Sequence, residues 1–194
     1  SGPIPENCHA VLIRSQSKIT STIKSIFPDI TSIIRVGTGL DAIDIEYCKS
    51  NGISIYSAPG ANAEAVSEYV VMMFLVALRK FHALEVSDLT SWNRFKFRGR
   101  SLLDQSIGII GYGAVGRLVY SKLRGLGCTQ FYIHDPYLDE SAMPDDISLS
   151  SFDDVILNAN AITLHVPLTE GTRYLVGSEV LGRMQPRVIL INAS

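Results

Sequence analysis

The sequence predicts an α/β protein built from parallel sheets, one of them doubly wound, and three observations carry that prediction. Short apolar, β-rich runs alternate with helix-patterned segments, the order that parallel strands joined by crossover helices require. One run, Ile107-Gly108-Ile109-Ile110, leads straight into Gly111-Tyr112-Gly113-Ala114-Val115-Gly116 and then into a helical pattern. A polar and basic stretch over 88–100, holding Trp92, Arg94, Lys96, Arg98 and Arg100, divides the alternation into two blocks.

In the first block, residues 10–13 read as a strand and 18–27 as a helix. A second strand is expected over 31–36, a short helix over 44–49 and a third strand over 53–56, before the break Ser57-Ala58-Pro59-Gly60. A long helix follows over 62–81, with Asn62 as N-cap and Glu64 in the first turn, where an acid suits the dipole. Val66, Tyr69, Val70, Met73, Phe74, Ala77 and Leu78 give it one apolar face, and Val71, Met72, Leu75 and Val76 are apolar on other faces. A helix apolar nearly all round is expected to be buried, either between domains or in a subunit interface. The second block repeats the pattern, with strands over 107–110, 131–133, 161–164 and 188–191 and helices over 114–125, 152–158 and 178–184. Residues 137–149 read as a surface loop. These signals divide the chain into a partial domain over 1–61, a helix and connector over 62–100, and a second domain over 101–194.

The glycine motif gains meaning from its surroundings. A strand precedes it, a helix follows, and Asp135 stands 19 residues beyond Gly116 at the end of another apolar run. That combination is a dinucleotide-binding fingerprint. Gly111 permits the tight turn, Gly113 lets backbone approach a diphosphate, and Gly116 lets the helix pack closely. The free N–H groups and positive dipole end of that helix then face the diphosphate. Asp135 would accept hydrogen bonds from the adenosine ribose and repel a 2′-phosphate, so the expected cofactor is NAD rather than NADP.

Bulk composition narrows the remaining classes. The 194 residues are 46% hydrophobic, which argues for a well-buried globular protein. The net charge of −2 marks neither a nucleic-acid binder nor a membrane-surface protein. Cys8, Cys48 and Cys128 are odd in number and far apart, which fits a reducing, cytoplasmic setting with no disulfide framework and no metal site. The most apolar stretch, 69–78, is too short to span a bilayer. The chain starts Ser1-Gly2 without Met and stops just past the run 188–191, so it is expected to be incomplete.

With these residues in view, the chain resembles the NAD-dependent D-2-hydroxyacid dehydrogenases from about Ala10 to Ser194, and most of all those that oxidise D-3-phosphoglycerate. The resemblance rests on Arg14-Ser15 with Lys18-Ile19-Thr20, on Arg35-Val36-Gly37-Thr38-Gly39-Leu40-Asp41-Ala42-Ile43-Asp44, and on Pro59-Gly60-Ala61-Asn62 with Ser67-Glu68. Trp92, the glycine motif, Asp135-Pro136-Tyr137, and His165-Val166-Pro167-Leu168-Thr169 with Thr172 complete it. It implies a Rossmann-type NAD domain plus part of a smaller flavodoxin-like substrate domain. It also implies hydride transfer from C2 of a D-2-hydroxyacid to the nicotinamide. The amides of Thr38 and Gly39 would bind the substrate carboxylate, since a Gly-rich turn makes an anion nest. Arg14 and Arg35 would face a phosphorylated end, and Arg94 would reach a neighbouring subunit's site. Tyr112, Ala114 and Val115 would line the diphosphate, although the family more often has a basic residue where Ala114 stands. Val166 and Pro167 would line the adenosine, while Ala193, Ser194 and Thr38 would approach the rest of the cofactor. A homodimer through the 62–81 helix is implied as well.

The family's catalytic Arg, Glu and His would all follow Ser194, so no catalytic residue is expected within this chain, which should bind cofactor without turning over. His165 reads as a hydrogen-bonded structural residue, His134 as pointing away from Asp135, and His9 and His82 as surface residues. Two other readings stay open: a non-catalytic NAD-sensing scaffold of the corepressor kind, and a dehydrogenase for glyoxylate or lactate.

Overall fold

A computed structural model of the chain describes residues 7–14, 17–37, 39–40, 42–81, 98–139, 143 and 147–194. They form two compact units, Ser1–Asn62 and Ala63–Ser194.

In the first unit three strands, β1 (Ala10–Ile13), β2 (Ser32–Arg35) and β3 (Ser54–Ser57), pair in parallel in the order β1-β2-β3. The helices α1 (Ile23–Ile26) and α2 (Ile45–Ser50) belong to its crossovers. The core gathers Ile13, Ile23, Ile33, Ile43, Cys48 and Ile53 on one face of the sheet. Helix α2 starts where its side-chain chemistry dictates. Asp44 is the N-cap, and its carboxylate accepts a hydrogen bond from the Tyr47 N–H at 2.9 Å.

The helix expected over 18–27 shrinks to the single turn of α1. Two causes are visible. Ile19 is captured by pairing with Ile43, through Ile19 N–H to the Ala42 carbonyl (2.8 Å) and Asp44 N–H to the Ile19 carbonyl (2.9 Å). The hydroxyls of Thr20, Thr22 and Ser25 bond locally, with Ser25 Oγ donating to the Thr22 carbonyl at 2.6 Å, which competes with helix formation.

The second unit opens with α3 (Ala63–Leu78) and continues through β4 (Ser106–Ile110), α4 (Ala114–Gly125), β5 (Gln130–His134), α5 (Phe152–Asn158), β6 (Ala161–Leu164), α6 (Ser178–Arg183) and β7 (Ile189–Asn192). Its four strands are parallel in the order β5-β4-β6-β7. Helices cover both faces, as a parallel sheet requires. Val70 and Phe74 of α3 and Val119 and Leu123 of α4 pack on Ile107, Ile109 and Ile133, while Val155 and Ile156 of α5 pack with Ile110, Ile162 and Leu164. An ion pair between Lys122 and Glu64 ties α4 to the start of α3.

Helix α3 is not buried all round. Ala63, Ser67, Val70, Phe74 and Leu78 form its buried face, whereas Tyr69, Met72 and Leu75 are exposed within the chain. The expected surface loop over 137–149 is partly core. Leu138, Met143, Ile147 and Leu149 pack against the α3–α4 side of the sheet, and Leu149 pairs with Ile133. Among the described residues no helix is long and apolar enough to cross a membrane.

Candidate functional site

The strand order of the second unit fixes where a ligand fits. The chain leaves β4 toward β5 on one side and returns through β6 to β7 on the other, so direction reverses between β4 and β6. In open α/β sheets, ligands bind beyond the carboxyl ends of the strands at such a switch point. The register aligns that edge. His134, Ile110, Leu164 and Asn192 pair across the sheet in one row. The next residue of each strand is Asp135, Gly111, His165 and Ala193, so four segments distant in sequence meet at one crevice.

The glycine turn is built by close approach. Gly111 has φ of +91°, and a Cβ there would lie 2.6 Å from the His165 carbonyl oxygen. A Cβ on Gly116 would lie 2.2 Å from the Gly111 carbonyl oxygen, so the helix packs first on its own turn. A Cβ on Gly113 would meet nothing within 4 Å, which leaves that side of the turn open to the crevice. Arg117 N–H closes the first turn of α4 on the Gly113 carbonyl at 3.0 Å. The preceding amides, those of Ala114, Val115 and Gly116, are the donors that a helix start leaves for an anion. The chain therefore offers the donors and the clearance that a diphosphate needs.

Asp135 is half-buried beside this turn. One carboxylate oxygen accepts from the Tyr112 N–H at 2.9 Å and the other from the Tyr137 N–H at 3.0 Å. A carboxylate oxygen has further lone pairs, so both can still accept from ribose hydroxyls. His134 turns onto the Ser150 carbonyl (3.1 Å) and packs edge-on to Phe152. His165 shares a hydrogen bond between Nε2 and Thr163 Oγ1 (3.0 Å), and its Nδ1 is buried with no hydrogen-bond partner among the described residues. Burial lowers its pKa to about 4, so the ring is neutral at pH 7. Val166 lies against Gly111, and the Pro167 carbonyl accepts from Thr172 Oγ1. Ser194 Oγ donates to the Leu164 carbonyl at 3.3 Å, which places Ala193 and Ser194 at the same edge. Burial raises the thiol pKa of Cys48, with the Asp44 carboxylate adding to it, and burial also raises that of Cys128. Neither is a ready thiolate nucleophile.

The first unit gathers its own set at the carboxyl edge of its sheet. Arg35 pairs with Ile13, so Arg14 follows one residue beyond. Arg35 is only 8% exposed, and its Nε donates to the Gly39 carbonyl at 2.9 Å. Gly37 has φ of +136°, a conformation that suits glycine. Arg14 is exposed. Thr38, Trp92 and Arg94 lie outside the described residues, as does His82. His9 is bonded through Nδ1 to the Asp29 carbonyl at 3.0 Å.

One residue at the crevice escapes the sequence reading. Arg117 is exposed, and its guanidinium carbon lies 4.8 Å from the centroid of the Tyr112 ring. Its position as the first cation beyond the third glycine is the signal that points to it.

Fold and crevice together define a doubly wound dinucleotide-binding protein. Residues 71–194 match the family model described as D-isomer specific 2-hydroxyacid dehydrogenase, NAD binding domain, and the chain belongs to that family. It is 30% identical over 193 residues to D-3-phosphoglycerate dehydrogenase of Mycobacterium leprae, covering 98% of this chain and 36% of that relative. It is 31% identical over 192 residues to hydroxypyruvate reductase of Thermotoga maritima, covering 98% of this chain and 61% of that relative. The fold superimposes with a TM-score of 0.83 on D-lactate dehydrogenase from Aquifex aeolicus, complexed with NAD and lactic acid, at 26% identity over 95% of this chain and 56% of that one. The chain thus spans between about one third and three fifths of these relatives' lengths. Its second unit is an NAD-binding domain.

Proposed function

We propose that the protein carrying this chain oxidises a D-2-hydroxyacid with NAD, and that the substrate is D-3-phosphoglycerate, converted to 3-phosphohydroxypyruvate for serine biosynthesis. The observation that carries the substrate assignment is the pair Arg14 and Arg35 at one sheet edge, with Arg35 bonded to the Gly39 carbonyl. Guanidinium groups pair bidentately with phosphate oxygens, and two of them suit a dianion. Thr38 and Gly39 amides bind the carboxylate of the substrate, and Arg94 contacts it from a neighbouring subunit. When bound, NAD would supply the hydride acceptor for C2. Gly111, Tyr112, Gly113, Ala114, Val115 and Gly116 hold its diphosphate, Asp135 its adenosine ribose, and Val166 and Pro167 its adenine side. Ala193, Ser194 and Thr38 approach its nicotinamide half. Neither the half-buried, neutral His165 nor His134, bonded to Ser150, is assigned the role of proton acceptor.

The test is steady-state kinetics of the full-length protein. Arg14→Ala should raise KM for D-3-phosphoglycerate about tenfold or more, the worth of a charge-assisted bond, and change use of D-lactate or glyoxylate little. Equal losses on phosphorylated and plain substrates would remove the phosphate assignment. Arg35→Ala should impair both classes, because it also releases the Gly39 carbonyl. The exposed face of α3, with Tyr69, Met72 and Leu75, supports a homodimer. Sedimentation at micromolar concentration should return twice the subunit mass, and a monomer would remove the proposal.

A further inference from the structure

The helix that receives the diphosphate has no cation where one would meet it directly. Its first three residues are Ala114, Val115 and Gly116, and no acid stands in the first turn either. Helix dipole and amides alone would then face a group carrying two negative charges. The first cation along the helix is Arg117. A helical side chain tilts toward the N-terminus, so that of Arg117 reaches back over the turn that precedes it. The structure shows where it stops: its guanidinium carbon lies 4.8 Å from the centroid of the Tyr112 ring. Tyr112 is the residue between the first two glycines, and its ring is held in turn by an edge contact with Tyr120, centroids 6.0 Å apart. The Tyr112 amide is bonded to Asp135. The seat under the guanidinium is thus part of the rigid crevice and not a mobile surface side chain.

We infer that Arg117 is a phosphate-binding residue of the dinucleotide site, with Tyr112 as the platform that positions it. Three features support this. Arg117 forms no ion pair with a carboxylate among the described residues, so its charge is uncommitted. A cation stacked on a ring keeps its in-plane N–H groups free to pair with phosphate oxygens. The open side at Gly113 leaves room for an anion to approach the same turn. In bound NAD the phosphate is the bridging diphosphate. A 2′-phosphate beside Asp135 is the other phosphate that could meet the guanidinium. The inference rests on the dinucleotide site described above.

The experiment is calorimetric titration of the full-length protein with adenosine, ADP, 2′-AMP and NAD, comparing the wild type with Arg117→Gln and Arg117→Lys. Arg117→Gln should weaken ADP and NAD about tenfold, or about 1.4 kcal/mol, and leave adenosine unchanged. Arg117→Lys, which keeps the charge but loses the fork, should fall between. A loss on 2′-AMP with ADP spared would support a phosphate contact at the 2′ position instead of the bridge. Unchanged affinity for both phosphates would overturn the inference while the NAD site stood. An equal loss on adenosine and ADP would also overturn it, because Arg117 would then act only through the Tyr112–Asp135 contact. A wild type that bound none of the four would sink the dinucleotide site itself.

Discussion

Strands β4 and β6 are buried along their whole length, whereas Leu12, Ile34 and Tyr56 of β1, β2 and β3 stand in one register row at 66%, 37% and 56% exposure. Full burial of a large apolar side chain is worth about 1.5–3 kcal/mol, so the described residues cover the second sheet far more fully than this row of the first. The difference shows in how each crevice is held. The glycine turn of the second unit is wedged between backbone atoms on both sides, at His165 and within its own helix. In the first unit the described side-chain bond at the sheet edge runs from Arg35 to the Gly39 carbonyl. The cofactor crevice is thus held by close backbone packing, and the edge of the first sheet by a local side-chain bond.

The sharpest way to break this comparison is a matched pair of glycine substitutions. Gly111→Ala meets both a positive φ and the His165 carbonyl. Left-handed strain of about 1–2 kcal/mol and overpacking of about 1–3 kcal/mol should together lower stability by about 3 kcal/mol and abolish measurable NAD binding. Gly52→Ala has a similar φ of +67° but no atom within 4 Å of the new Cβ. It should cost about 1–2 kcal/mol and leave NAD binding intact. Urea melts with NAD titration check both. Equal costs would show that packing around Gly111 is looser than its distances imply.

A second prediction concerns acid. His165 has a folded-state pKa of about 4, below its ordinary 6.5. The unfolded chain therefore takes up a proton that the native ring refuses. The stabilising contribution is complete above pH 6.5, is lost as pH falls toward 4, and changes no further below that. At about 1.4 kcal/mol per pH unit, the loss amounts to about 3 kcal/mol. Denaturant melts between pH 7 and 4 should show it, and His165→Gln should flatten the slope. A slope unchanged in that variant would move the acid sensitivity elsewhere.

The smallest effect sharpens the comparison between the two charged groups that bond backbone at their sheet edges, Asp135 and Arg35. Asp135→Ala should weaken NAD about tenfold and narrow the preference over NADP, because both the ribose acceptor and the repulsion of a 2′-phosphate are lost. Binding titrations with the two cofactors measure it. If both affinities stayed as in the wild type, Asp135 would serve only the Tyr112 and Tyr137 amides.

Much of this architecture is legible in the residues. β1, α4, α5 and β6 begin and end where their patterns place them. These elements carry strong local signals: a glycine start for α4, and for α5 a capping box in which Ser151 and Asp154 bond each other's backbone. The failures share a cause. Ile19 left its helical pattern for a bridge to Ile43, and Leu149 left a loop for a bridge to Ile133. Each outcome depends on a segment far away in sequence, which local periodicity does not register.

The same division runs through the site. The strand, the three glycines and Asp135 at its spacing were enough to determine a dinucleotide crevice, because a tight turn, a bare helix start and a ribose acceptor are local requirements met by particular residue types. Other features needed the folded chain: the reversal between β4 and β6, the neutral His165, the near-complete burial of Arg35 and the seating of Arg117 on Tyr112. These are set by which side chains and carbonyls are brought within a few ångströms, and that proximity comes from packing the strands into one sheet.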